Sequence, residues 1–304
     1  PEDRAAKVSQ IINFAKEIRR GAASKYFQTI AETGAVEELT DKRVLETASF
    51  IKENIEPEVA YLYFLAIGKT KDVEKLTNDS VRNFVEEIRS SAAYWYFLAI
   101  AKTGAVKELT NDNVLRFAKE IGKDAARKYF EAIGNTGAVK ELTDKKVLET
   151  ANFIKDIEPK AASVYFRAIA ETKAVAELTD KRVLKTANFI KDIGPEAARE
   201  YFRAIGRTKD VAKLTSESVL RFAKEIGSDA ARWYFWTIGE TESAKELTDD
   251  RVLETANFIK DIGPEAAREY FWAIGKTKAV EELTDKRVLE TANFIKDIGP
   301  EAAR

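Results

Sequence analysis

The dipeptide Leu-Thr returns along the chain at nearly regular intervals. Its leucines stand at positions 39, 76, 109, 142, 178, 214, 247 and 283, so the spacings are 37, 33, 33, 36, 36, 33 and 36 residues. The letters RVLETANFIKDIGPEAAR also occur twice, at 251–268 and at 287–304. A period of roughly 20 to 50 residues indicates a repeat architecture, in which every unit makes the same contacts with its neighbours.

A degenerate repeat precedes the first Leu-Thr, since IINFAKEI at 11–18 corresponds to VLRFAKEI at 114–121. We therefore predict one repeat domain over residues 1–304, with about nine repeats of 33 to 37 residues. The last repeat stops at Arg304 before its aromatic half. We expect either that the parent protein continues or that a neighbouring molecule covers this end, as in end-to-end self-association. The predicted repeats are approximately 6–38, 39–75, 76–108, 109–141, 142–177, 178–213, 214–246, 247–282 and the truncated 283–304.

Each repeat is predicted to be a helical hairpin with a first and a second helix. In LTDKKVLETANFIKDI, Thr143 is expected to cap the first helix, with Asp144 in its first turn. Glycine before proline, at Gly194, Gly263 and Gly299, predicts that the first helix ends there and that the second helix starts immediately afterwards. An apolar stripe at helical spacing follows the predicted cap. Its members are Val147, Leu148, Ala151, Ile154 and Ile157.

The second helix, PEAAREYFRAIG at 195–206, is predicted to bury Tyr201 and Phe202. Gly206, or Ala170 in another repeat, is expected to end it, and a threonine-capped extra turn is expected before the next Leu-Thr. Long repeats carry ANFIKDI at 151–157 where short ones carry AKEI at 118–121, which adds nearly one helical turn. The predicted fold is an all-α, right-handed superhelical solenoid.

Composition removes several classes of function. With no Cys and no His, the chain lacks thiolate sites, the common metal ligand and the usual general base. AIGKT at 66–70 lacks the upstream glycine and strand of a phosphate loop. We expect no enzymatic activity, no cofactor and no bound metal.

The chain has no apolar run of about 18 residues and no signal peptide, so we expect a soluble protein without a membrane partner. No segment indicates a cellular location. The absence of Met, Cys and His, with dense charge, is typical both of thermostable proteins and of engineered repeats. The composition therefore fits either a natural thermostable protein or an engineered repeat protein.

The short repeats at 109 and 214 share a common spacing in their first halves. The matching letters are Leu109, Thr110, Val114, Ala118, Ile121, Gly122 and Ala126, and Leu214, Thr215, Val219, Ala223, Ile226, Gly227 and Ala231. This spacing resembles that of TAL-effector and TAL-effector-like repeats, which are helical hairpins that wrap DNA. The resemblance implies a superhelical hairpin array, and it makes nucleic-acid binding an alternative function.

The resemblance places the DNA-reading positions of that family on residues of a different chemistry. Its base-facing pair corresponds to Glu120 with Ile121, and its phosphate-facing Lys-Gln pair to Asp124 with Ala125. Carboxylates repel phosphate, and 50 basic against 51 acidic residues give a net charge of only −1. A protein or peptide is therefore the predicted partner.

The residue before the Tyr and the residue after the Phe of each second helix vary from repeat to repeat. They are three positions apart and so share one helix face, which we call the second-helix strip. It carries all four tryptophans. A repeat protein uses such a face to bind a partner, or packs it against the next repeat; a ligand-free structural scaffold is the third alternative. The predicted binding residues, on or beside the strip, are Tyr61, Leu62, Leu65, Tyr94, Trp95, Leu98, Arg167, Arg203, Trp233, Trp236 and Trp272.

Overall fold

The computed structural model describes residues 2–18, 20–158, 160–248, 253 and 264–277. Within these ranges every regular element is an α-helix, which confirms the predicted all-α class. The chain divides into a first compact unit, residues 1–148, and a second compact unit, residues 149–304. Neighbouring helices along the chain pack together within each unit.

In the first unit, a four-residue helix follows each second helix. The helices of this unit are α1 Glu2–Glu17, α2 Arg20–Thr33, α3 Val36–Leu39, α4 Lys42–Asn54, α5 Pro57–Thr70, α6 Val73–Leu76, α7 Asp79–Thr103, α8 Val106–Leu109, α9 Asp112–Glu120, α10 Lys123–Thr136 and α11 Val139–Leu142.

The same pattern continues along the chain, where one first helix also begins with a separate four-residue helix, Lys181–Leu184. The next helices are α12 Lys145–Ile157, α13 Ala161–Thr172, α14 Val175–Leu178, α15 Lys181–Leu184, α16 Ala187–Thr208, α17 Val211–Leu214, α18 Glu217–Glu225, α19 Gly227–Thr241, α20 Ala244–Leu247 and α21 Pro264–Thr277. The four-residue helices that follow second helices are the predicted extra turns.

The length difference between first helices also agrees with the sequence. The first helices α4 and α12 have 13 residues, whereas α9 and α18 have nine. Four residues are about one turn of an α-helix. The longer repeats therefore keep their apolar stripe on the same side, and Val147, Leu148, Ala151 and Ile154 are buried.

Two long elements, α7 and α16, each join a first and a second helix across a break. In α16 the break is at Gly194, where φ is 75°, so the predicted stop and restart at Gly-Pro is confirmed there. Gly263 and Gly299 lie outside the described residues. In α7 the break is at Arg89, with φ 58° and ψ −174°, a backbone conformation that glycine adopts far more easily than arginine.

The predicted threonine cap at Thr143 is wrong. Helix α12 starts at Lys145, and the carboxylate of Asp144 accepts a hydrogen bond from the Lys146 backbone N–H at 2.8 Å. Thr143 instead closes α11, where its own N–H donates to Val139 and Glu141 carbonyls. Leucine and threonine thus end one helix, and the following Asp starts the next; aspartate suits this position because its oxygen accepts from early N–H groups.

The extra turns are capped differently from the prediction as well. The residue just before these four-residue helices is alanine, aspartate or serine, and Asp72 and Asp210 accept from the N–H three residues later. The threonine that ends the second helix instead accepts a hydrogen bond from the N–H of the residue just before the four-residue helix. For example, Thr136 Oγ1 accepts from the Ala138 N–H at 3.2 Å.

The prediction that Gly206 and Ala170 end their helices is wrong. Helix α16 runs on to Thr208, and Lys209 takes the left-handed conformation with φ 58°. Gly206 is buried, and a Cβ there would come within 2.8 Å of the Thr172 Cβ. Its physical role is close packing of α16 on α13 rather than helix termination.

Within each compact unit, the core contains a row of aromatic rings in contact. The Tyr of one second helix packs on the Phe of the following second helix, with ring centroids 5.0 Å apart for Tyr96 and Phe130 and 5.1 Å apart for Tyr165 and Phe202. Tyr201 and Phe202 are fully buried, as predicted. This row fixes which face of each second helix points inward and leaves the second-helix strip beside it.

Candidate interaction surface on the second helices

The second-helix strip lies at the edge of the aromatic row. In α10, Tyr129 and Phe130 are buried, while the flanking Lys128 and Glu131 are half-buried and joined by a 2.7 Å salt bridge. Side chains at these two positions therefore reach solvent only in part. This intermediate burial separates the strip from both the core and the exposed helix faces.

An apolar patch occupies the strip and the adjoining positions in the first compact unit. Tyr94 is exposed, and its ring packs edge-on against Trp95 with centroids 5.8 Å apart. The Lys25 ammonium lies 5.0 Å from the centre of the Tyr61 ring, at the range of a cation–π contact. We call the accessible members the first-unit patch. They are Tyr61, Leu65, Tyr94, Trp95 and Leu98.

Leu62 does not belong to this patch, although the sequence analysis included it. It is buried, in a helix that packs against both α2 and α7. It contributes packing rather than accessible surface.

Three tryptophans form the second-unit patch: Trp233, Trp236 and Trp272. Trp233 and Trp236 are half-buried and meet edge to face, with centroids 5.2 Å apart. Trp272 is exposed on the following second helix. The Trp236 ring lies over Gly275, where an added Cβ would sit 3.2 Å from the ring carbon Cε3. Because Gly275 has no side chain, the Trp236 indole can pack directly against α21.

Cations border the second-unit patch. The Arg232 guanidinium lies 5.7 Å from the Trp233 ring centre, and the Lys276 ammonium 6.0 Å from that of Trp236. Both distances are within the range of cation–π attraction. The patch therefore has two cations near its rings, while the strip position before Tyr270 carries the exposed Glu269.

The arginines predicted as binding residues are engaged in ion pairs. Arg167 Nε lies 2.8 Å from Glu171, and Arg203 lies 3.1 Å from Glu200 and 3.7 Å from Glu171. Glu200 is buried, so its pairing with Arg203 offsets part of the cost of burying a charge. Arg167 and Arg203 thus form a neutralised cluster on the strip itself.

The positions that correspond to the DNA-reading pair of the TAL-like family differ in accessibility. Ile121 and Ile226 are buried in the core. Glu120 is exposed, 3.8 Å from Arg116, and Asp124 is exposed. An exposed carboxylate beside a buried isoleucine offers no donor to a phosphate.

A groove of about 680 Å³ lies between α1 and α4 and has no signature in the sequence, because it depends on how two first helices pack. Phe14 and Leu45 lie at its base, and Gln10, Glu17 and Glu46 are among its polar lining. Over the part of the chain with described structure, no group of three acidic, His or Cys side chains is placed to hold a metal ion. No described helix combines the length and the apolar character that crossing a bilayer requires.

Comparison with family models, with curated proteins and with solved structures finds no match to this chain.

Proposed function

We propose that this protein is a non-enzymatic helical-repeat scaffold that binds a protein or peptide along its second-helix strip. In this proposal the repeats stack into the right-handed superhelix predicted from the sequence, so that the strip is continued from one hairpin to the next. The binding anchors are the first-unit patch and the second-unit patch.

The observation that carries the proposal is the partial exposure of Trp233 and Trp236. A tryptophan needed only for packing would be expected to be buried like the neighbouring Tyr234 and Phe235. Instead, two indoles stand side by side and present apolar surface to solvent. Tryptophan is enriched among residues that dominate binding energy at interfaces.

The chemistry of the second-unit patch also supports a particular kind of ligand. Indole faces favour aromatic or long aliphatic side chains, and the bordering Arg232 and Lys276 favour a carboxylate nearby. The expected partner segment therefore carries one or two large apolar residues next to Asp or Glu.

The test is selection of a random peptide library on the immobilised 304-residue chain. Counter-selection uses the double variant Trp233→Ala/Trp236→Ala, with helical content checked by circular dichroism. The proposal predicts enriched sequences with large apolar residues beside acidic ones that do not bind the variant. Failure to enrich any sequence, or enrichment of peptides that bind both proteins equally, would contradict it and favour the ligand-free scaffold.

Nucleic-acid binding by a TAL-effector-like array is the alternative. It draws support from the spacing of the short repeats and is opposed by the exposed Asp124 and by the net charge of −1. Phosphate contacts weaken steeply between about 50 and 200 mM salt. Micromolar binding of mixed-sequence duplex DNA at the lower salt, measured by fluorescence anisotropy and lost at the higher, would favour this alternative.

A further inference from the structure

Two nearly identical stretches of the chain have different structures. Residues 145–158 read KKVLETANFIKDIE and residues 181–194 read KRVLKTANFIKDIG, so they differ only at their second, fifth and last positions. In the first stretch, 145–157 form one uninterrupted helix, α12. The second stretch breaks at Lys185 and Thr186, between α15 and α16. We call these conformations the straight form and the broken form.

The two forms bury different side chains. In the straight form Leu148 is buried and Phe153 is 45% exposed. In the broken form the equivalent Leu184 is half-buried, and Phe189 is only 4% exposed. The Phe189 ring packs edge-on against Tyr201 of the same repeat, with centroids 5.4 Å apart. The break therefore exchanges a buried leucine for a buried phenylalanine.

A positive φ between the two helices of a repeat accompanies a buried Phe in the first helix. Gly194 has φ 75°, and Gly122 and Gly227 of the short repeats have φ 81°. The first-helix residues of those short repeats, Phe117 and Phe222, are each 3% exposed. Each also lies 5.2 Å from the tyrosine ring of its own second helix. The broken form thus reproduces the packing of the short repeats.

The repeats with glutamate before proline differ at this position. Glu56 is extended, with φ −156°, and Phe50 of the same repeat is half-exposed. The Glu158 N–H donates to the Ile154 carbonyl at 2.9 Å and so continues the helix. A Cβ disfavours positive φ, which glycine adopts freely. Glutamate here therefore favours the straight form, and glycine permits the broken one.

Arg89 shows that a residue with a Cβ can reach the same backbone conformation. Its φ is 58°, and Phe84 of its repeat is buried and packs on Tyr96 with ring centroids 5.0 Å apart. A buried first-helix Phe is therefore compatible with a residue other than glycine, at a cost in backbone strain.

We propose that the first helix of repeat 142–177 is a two-state element that exchanges between the straight form and the broken form. In the minor, broken state Glu158 takes a positive φ, and Phe153 packs on Tyr165, the equivalent of Tyr201. Two packings of one sequence can lie close enough in free energy for both to be populated, and we expect a minor population of about 1 to 10%. The exchange does not depend on peptide binding at the second-helix strip.

Fluorine NMR tests the proposal, with 4-fluorophenylalanine incorporated at position 153 alone. The major resonance of the otherwise unchanged protein should shift between H2O and D2O, because the ring is exposed. Glu158→Gly should move the resonance to a buried environment that lacks this solvent shift. Glu149→Lys is the matched control, since it supplies the residue type found at the equivalent position 185, and it should leave the ring exposed. Saturation transfer without the substitution should reveal a minor resonance at the Glu158→Gly position.

The reciprocal variant Gly194→Glu, with the label at position 189, should expose the Phe189 ring. Circular dichroism verifies that the variants remain helical, and if Gly194→Glu unfolds, Glu158→Gly against Glu149→Lys decides alone. A Phe153 ring that stays exposed in Glu158→Gly, or becomes buried in Glu149→Lys, would overturn the proposal. Absence of the minor resonance from the chain with Glu158 would overturn it as well.

Discussion

At the scale of single residues, several second-helix tyrosines hydrogen-bond to the backbone of the following Leu-Thr. The hydroxyls of Tyr26, Tyr165 and Tyr234 donate to the backbone carbonyls of the leucines thirteen residues later, at 2.9, 2.8 and 3.1 Å. The bond ties a second helix to the end of the four-residue helix that follows it. Helical spacing was enough to predict that the tyrosine ring is buried. The hydroxyl partner depends on where the chain turns, which periodicity does not encode.

The substitution Tyr165→Phe tests this bond. It leaves the Leu178 carbonyl without its donor, so the free energy of unfolding should fall by about 1 to 2 kcal/mol in urea denaturation. Tyr96→Phe is the control, because the buried Tyr96 hydroxyl has no hydrogen-bond partner within the described ranges. Its removal should be neutral or stabilising. Equal losses for both variants would show that the bond contributes nothing.

Arg89 offers a second test at this scale. Three later repeats place Gly122, Gly194 and Gly227 at the same position, all with φ near 80°. Arg89→Gly should therefore relieve backbone strain and raise the free energy of unfolding by about 1 kcal/mol. The reciprocal Gly122→Arg should lower it by a similar amount. Denaturant midpoints decide the question, and a destabilised Arg89→Gly would mean that the side chain contributes more than the strain costs.

At the scale of the helices, patterns in the sequence predicted which elements form but not where each one ends. The stripe Val147, Leu148 and Ala151 located a first helix correctly. Its cap was assigned to Thr143 rather than Asp144, because both residue types accept hydrogen bonds from free N–H groups and stand side by side. The prediction that Gly206 ends its helix follows from the frequent occurrence of glycine at helix C-termini. Its actual role arises from contact with α13, a neighbour that local sequence does not reveal.

The glycine contact predicts different outcomes at two equivalent positions. Gly206→Ala would drive a methyl group into Thr172 and should cost about 1 to 3 kcal/mol of stability. Gly134→Ala meets the Ala99 Cα at an ordinary 3.5 Å and should gain about 0.5 to 1 kcal/mol from helix propensity. Thermal unfolding followed by circular dichroism separates the two. A gain at both positions would contradict the close-packing role of Gly206.

At the scale of the whole molecule, the recurring letters predicted an all-α chain with a buried aromatic row. They did not predict which strip residues would be accessible, as Leu62 and Trp95 show. Both stand just before a buried tyrosine, yet one is buried and the other half-exposed. The difference depends on the side chains of two neighbouring helices at once, so it requires three-dimensional packing.

The aromatic row also makes stability depend on alkaline pH. Burial raises the pKa of Tyr96, Tyr129 and Tyr234 far above the ordinary value of 10.0, so these phenols ionise in the unfolded chain first. Their contribution to stability is fully present below about pH 10 and is lost as the pH rises through the raised values. Melting temperatures should fall steadily above about pH 10. The tyrosinate absorbance of the buried phenols should appear together with loss of helix, and ionisation of every tyrosine in a still helical chain would contradict this.

The proposal that the tryptophan-bearing strip binds a peptide is tested most directly by calorimetric titration of a library-selected peptide. The wild-type chain, Trp233→Ala, Trp236→Ala and Trp95→Ala are compared, each shown to be folded. For a peptide bound at the second-unit patch, Trp233→Ala and Trp236→Ala should each weaken Kd at least about 30-fold, equivalent to about 2 kcal/mol, while Trp95→Ala leaves it unchanged. Equal affinity for wild type and all three variants would contradict a binding role for these tryptophans.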